Sequence, residues 1–159
     1  MKILNTLALR IAVLLHGIEF PEKVLMDLKY DNRTIKTVKL LTENINGKIY
    51  PDSINIKRWL NKIGPTNLKM LINIKRALFK GEKEDLLQAE TIMNGIIETN
   101  QCYSLKTLAV NGKDLIEAGV PKGKKVGIIL EDLLNKVIEG KLENKKESLM
   151  NYVCSNRNS

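Results

Sequence analysis

Apolar residues recur along this chain at spacings of three and four, the mark of helices that each turn one face to a core. Ile3, Leu7, Ile11, Leu14 and Ile18 make the first such stripe. Pro21 and Glu22 suit a first helical turn, with Val24, Leu25 and Leu28 following. Asp31-Asn32 offers an N-cap before Ile35, Val38, Leu41 and Ile45, and Asn46-Gly47 ends that helix. Pro51-Asp52-Ser53 starts the next, which buries Ile56, Trp59, Leu60 and Ile63 and stops at Gly64-Pro65. Thr66-Asn67 then caps a helix with Leu68, Leu71, Ile72, Leu78 and Phe79 inward. After Gly81, a longer helix carries Leu86, Ala89, Met93 and Ile97.

A seam falls near Asn100 to Ser104. Beyond it, Asn111-Gly112 and Gly119-Val120-Pro121 break the chain into short helices. Val126, Ile129, Leu130, Leu133 and Val137 form one apolar stripe, ended by Gly140. Asn144, three residues before Glu147, reads as a capping-box start for a last helix with Leu149, Met150 and Val153 inside. The closing residues 155–159 read as frayed. No stretch alternates as a strand would, so the expected fold is all-α. It is a multi-helix array of short to medium helices, with a body-like domain over 1–100 and a tail-like domain over 101–159.

With 159 residues, 43% of them hydrophobic, the chain can build a real core. A domain this size buries about 68–70% of the surface its unfolded chain exposes. Aromatics are only 4%, so Leu, Ile, Val and Met must fill that core. No apolar run approaches the roughly 18 residues of a membrane span. The first 18 residues have the early Lys and apolar stretch of a secretion signal, but Arg10 interrupts them and no small-residue cleavage site follows. Cys102 and Cys154 lack metal-ligand spacing and are too few for a disulfide scaffold. A cytoplasmic protein with reduced thiols is expected. The net charge of +8 is unevenly placed: residues 1–80 carry 15 Lys and Arg against 6 Asp and Glu, and residues 81–159 carry 11 against 12. A basic half suits a polyanionic partner, because neutralising phosphates releases condensed counterions. It equally suits a Lys-rich soluble surface, and charge alone does not separate the two.

Residues 104–149, SLKTLAVNGKDLIEAGVPKGKKVGIILEDLLNKVIEGKLENKKESL, add a specific pattern. They resemble the C-terminal tail of bacterial-type CCA-adding tRNA nucleotidyltransferases, of the poly(A) polymerase family. Residues 7–80 resemble the helical body that precedes that tail. The resemblance implies a body and tail that grip the acceptor–TΨC arm of tRNA by shape and phosphate, as a ruler for 3′-end addition. It does not extend to the family's catalytic head or its base-reading neck. What it implies is tRNA as the partner and no cofactor in this chain, since Mg2+ would belong to the head.

The residues themselves offer no catalyst. Leu14-Leu15-His16-Gly17-Ile18 resembles the L-L-H-D-I signature of HD-type phosphohydrolases, but Gly17 stands where the metal-binding Asp would be, and the chain has no second His. His16 is therefore expected to be structural. Nucleotidyl transfer needs acidic groups converging on metal ions, commonly Asp-x-Asp. This chain has no Asp-x-Asp, and its Asp residues are scattered. Glu82-x-Glu84-Asp85 opens a predicted helix, where acidic side chains suit the dipole. No catalytic and no metal-binding residue is expected.

Basic stripes remain. Lys69, Asn73, Arg76 and Lys80 share one helix face opposite the leucines. Arg33, Lys36 and Lys39 do likewise on an earlier helix, and Lys57, Arg58 and Lys62 flank Trp59. Such stripes can track a phosphate backbone or simply face solvent. The sharpest local signal is Pro121-Lys122-Gly123-Lys124-Lys125, where three lysines surround a glycine at a helix start, a place that favours a phosphate. The expected phosphate contacts are Arg33, Lys36, Lys69, Arg76, Lys122, Lys124 and Lys125. Asn111-Gly112 reads as a tight turn with Asp114 in the first helical turn, an architectural feature. A different class of function is a protein–protein adaptor whose apolar faces, Ile3 to Ile18 above all, dock a separately encoded nucleotidyltransferase head or a second copy of the chain.

Overall fold

The computed structural model describes residues 2–156, with side chains from Leu7 onward except that of Lys80. The fold is all-α, with no strand among the described residues. Its helices are α1 (Lys2–Leu14), α2 (Pro21–Asp27), α3 (Asn32–Asn44), α4 (Ser53–Leu78), α5 (Lys83–Glu98), α6 (Gly112–Glu117), α7 (Lys124–Ile138) and α8 (Lys146–Ser155). Two 3-10 turns, Lys80–Glu82 and Leu105–Thr107, complete it. The chain divides into two compact units, Met1–Met93 and Asn94–Ser159, and the division falls within α5.

In the first unit α3 is the hub, packed against α1, α2 and α4. Asp31 caps it: its carboxylate accepts the backbone N–H of Arg33 and Thr34, each at 3.0 Å, and the Thr34 hydroxyl at 2.6 Å. Such a cap contributes about 1 kcal/mol. Ile35, Val38, Leu41 and Ile45 are buried, as their spacing predicts. On α1 and in the turn after it, the buried face shares Ile11 with the expected one and otherwise differs from it. The core takes Ala8, Ile11, Ala12 and Leu15, while Leu7, Leu14 and Ile18 are exposed, Leu14 at 79%. Both sets repeat at three and four, and the small Ala8 and Ala12 let α1 lie close against α3 and α4. Ile3 lies outside the described side chains. Leu28 is exposed too, because α2 ends at Asp27 and Lys29 turns the chain with a φ of 55°.

The segment Ser53–Leu78 is two helices joined across Gly64, whose backbone sits at φ 76°, ψ 165°. The Gly64-Pro65 break is where the sequence places it, but Thr66-Asn67 is not the cap that follows. Pro65 opens the second half directly, where a missing N–H costs nothing, and the Asn67 amide donates back to the Ile63 carbonyl at 2.8 Å. Leu68, Leu71 and Ile72 are buried, but Leu78 is exposed and Phe79 only half-buried at the helix end. On α5, Ile96 takes the buried place expected of Ile97.

Trp59 is buried with Leu60 and Ile63, and its indole N–H donates to the Lys48 carbonyl at 3.2 Å. The ring lies over Gly47, where an added Cβ would come within 2.8 Å of Trp59 Cη2 and 3.2 Å of the Asn44 carbonyl oxygen. Gly47 is thus required for close approach. Gly47→Ala is expected to cost about 1–3 kcal/mol by overpacking, read from urea unfolding followed by tryptophan fluorescence. A variant as stable as the wild type would show that the ring moves aside without loss.

The second unit has its own core, in which Leu115, Val120, Leu133, Leu134, Ile138 and Leu149 are buried. Asn111 is an N-cap rather than a tight turn. Its side chain accepts the N–H of Lys113 (2.8 Å) and Asp114 (3.3 Å), and Asp114 returns a bond to the Asn111 N–H at 2.8 Å. Asn144 does not cap α8, whose N-cap is Lys145 with no side-chain bond. Its amide instead accepts from the Ala109 N–H at 2.8 Å and donates to the Thr107 carbonyl at 2.9 Å, tying the 105–110 segment down. At the end expected to fray, Ser155 belongs to α8 and the Asn156 N–H bonds the Tyr152 carbonyl; residues 157–159 lie outside the described residues.

Candidate nucleic-acid interface

Three groups of cations are set out by these helices, two in the first unit and one in the second. Arg33 and Lys36 stand exposed in the first two turns of α3, and among the described residues neither makes an ion pair. Lys39, next on that face, is already committed: its ammonium lies 3.1 Å from Glu22 and 4.0 Å from Glu43. The hydrogen bond to Lys39 adds to one from the Glu22 backbone in holding the Glu22 carboxyl below its usual range.

The second half of α4 carries Lys69 and Arg76, and the structure brings both onto one carboxylate. Glu90 of α5 has Oε2 2.7 Å from the Arg76 guanidinium and Oε1 3.9 Å from the Lys69 ammonium. Asn73, between them, is exposed, and the Lys80 side chain lies outside the described ones. Around Trp59, Lys62 lies 5.2 Å from the ring centroid.

In the second unit, Lys122, Lys124 and Lys125 are all exposed at the entry to α7, and among the described residues none makes an ion pair. Gly123 is the N-cap at φ 118°, ψ −150°, a conformation that L side chains rarely adopt. It offers no side chain to the first N–H groups, and the first turn of α7 holds no acidic residue. The positive end of a 15-residue helix and three lysines therefore act together, with nothing acidic among them. Nearby, Lys146 donates to Asp114, which holds that carboxyl below its usual range and raises the ammonium.

No group of three or more His, Cys, Asp or Glu side chains with metal-binding geometry occurs among the described residues. His16 is exposed and lines an open cavity of about 450 Å3 with Glu19, Glu22, Lys39 and Glu43. Cys102 is buried and Cys154 exposed, both free. Among the described residues no helix is long and apolar enough to cross a membrane.

Residues 4–153 match the family described as tRNA nucleotidyltransferase domain 2. The chain belongs to that family. A curated relative, a CCA-adding enzyme of Levilactobacillus brevis, is 51% identical over 45 residues, which make up 28% of this chain and 11% of that enzyme. No solved structure matches. The family match and the curated relative agree with the resemblance read from the sequence. For a member of the tRNA nucleotidyltransferase domain 2 family, the arrangement is one of surfaces and ion pairs. The polar residues missed in the sequence are Glu90 and Lys75, while Asn144 reads there as a cap and not as the tie to Thr107 and Ala109. Only Lys75 left a signal there, since it falls on the apolar stripe of Leu68 and Leu71.

Proposed function

We propose that this chain binds tRNA, gripping the acceptor–T arm by shape and phosphate, while nucleotide addition is carried out by a head domain with its own Mg2+. The observation that carries the reading is the α7 entry: Lys122, Lys124 and Lys125, exposed around an uncapped helix end and without an ion pair among the described residues. Family membership supports tRNA as the polyanion. Recognition by shape fits a chain with so few aromatic side chains on which to stack splayed bases. Arg33 and Lys36 supply further exposed cations on α3, and the body-like part, 1–100, joins the tail-like part, 101–159, in holding the RNA.

A second reading is favoured by one feature of α1 and the segment that follows it. Leu7, Leu14, Ile18 and Phe20 are exposed in the stretch where the chain resembles the start of the helical body. An adaptor that docks a separately encoded head would use such a surface.

The test is the full chain with a tRNA acceptor–T-arm minihelix, and with tRNA lacking its 3′ end, CTP, ATP and Mg2+. Binding with strong salt dependence and no incorporation is expected. Failure to bind at low salt would overturn the first reading. Incorporation by the chain alone, after rigorous removal of host enzyme, would overturn the division of labour. Incorporation only when a head-bearing polypeptide is added would favour the adaptor.

A further inference from the structure

We infer that Glu90 is a built-in competitor for RNA phosphate: it holds Lys69 and Arg76 in a closed ion-pair cluster that bound RNA must open. The inference rests on the RNA-binding reading above and gives one residue the power to set its strength. Each oxygen of the Glu90 carboxylate has its own cation, Arg76 at 2.7 Å and Lys69 at 3.9 Å. The side chains differ in exposure, 19% for Glu90 against 31% for Arg76 and 58% for Lys69. The cations are thus within reach of a ligand, while the carboxylate is set behind them.

Carboxylate and phosphate oxygens are alternative acceptors for the same guanidinium and ammonium donors. A phosphate that took up Lys69 or Arg76 would meet the Glu90 charge at close range and would have to displace it or share its donors. Room for that exchange exists. Arg76 also lines an open cavity of about 410 Å3 with Gly81, Lys83, Glu84 and Leu87. One side of Arg76 is therefore occupied by Glu90, and another faces a space with Lys83 and Glu84 on its wall. With Glu90 in place, the two cations of the α4 stripe offer RNA a net charge of one.

The experiment is minihelix binding by fluorescence anisotropy over a salt series, with melting temperature measured in parallel. Glu90→Gln keeps the size and removes the charge. It is expected to bind roughly three- to tenfold tighter at low salt, with a log–log salt slope steeper by about 1–2. Its melting temperature is expected not to rise, so affinity improves without any gain in stability, which a purely structural ion pair would not produce. Glu90→Asp should keep the wild-type slope, and adding Arg76→Ala to Glu90→Gln should abolish the gain. Unchanged or weaker binding by Glu90→Gln, while loss of the α7 lysines still weakens binding, would overturn the inference and leave the RNA-binding reading standing. If no variant and no wild-type protein bound the minihelix, both would fall together.

Discussion

Replacing Lys122, Lys124 and Lys125 together by alanine is expected to flatten the slope of log affinity against log salt by up to about 2–3 units. Each lysine that meets a phosphate releases close to one counterion, so three contacts set that ceiling. The size of the effect comes from what surrounds them. All three are exposed and make no ion pair among the described residues, the first turn of α7 holds no acid, and Gly123 leaves the helix end open. The charge removed is therefore charge available to a ligand. Lys145 provides the contrast, because its ammonium is 2.8 Å from Glu143. Lys145→Ala should leave the slope nearly where it was. Gel-shift or anisotropy titrations from low to moderate salt would measure both, with circular dichroism confirming that helices are retained. An unchanged slope in the triple variant would return those lysines to the solvated surface.

Lys75 is the second site of large effect, on stability. It is 2% exposed, and its ammonium donates to the Ile45 carbonyl at 3.0 Å, lies 3.4 Å from Glu82 and sits 4.6 Å from the Phe79 ring centroid. One side chain thereby joins the end of α3, the second half of α4 and the turn Lys80–Glu82. Lys75→Ala removes the stem and the charge, leaving a void and a buried carbonyl without a donor, and is expected to cost about 3–5 kcal/mol. Lys75→Met fills the void and loses only the polar contacts, at about 1–3 kcal/mol. Urea unfolding separates the two. A methionine variant at least as stable as the wild type would show that apolar packing replaces the ion without loss, as happens at some buried ion pairs.

Much of this was legible in the sequence, and the failures have physical causes. Spacing located the helices and the burial of Trp59, and capping and breaking residue types located the Asp31 cap and the break at Gly64. On α1 spacing placed Ile11 correctly but otherwise chose the wrong stripe, because a helix apolar nearly all round has two, and alanine carries little weight in a hydrophobic pattern although it permits the closest packing. Ile96 for Ile97 is a rotation by one residue, which periodicity near a helix end does not resolve. Asn144 looked like a cap because Glu147 follows it, yet its partners are Thr107 and Ala109, far back in the chain. Arg76 and Glu90 are 14 residues apart on different helices, and no local pattern joins them. Lys75 could have been seen, since seven residues from Leu68 and four from Leu71 place it on the inward face.

The core of the second unit is built from residues 102–153, and Lys75, Trp59 and Gly47 all belong to the first. That arrangement bears on cooperativity. A single free energy of unfolding is defined for this chain only where both cores melt in one transition. Tryptophan fluorescence reports the first core alone, whereas far-ultraviolet dichroism sums over both. Coincidence of the two curves would make the stability changes at Lys75 and Gly47 properties of the whole chain. Separation would make them properties of one core, with the lysine-bearing entry to α7 still folded on the other while the first has already come apart.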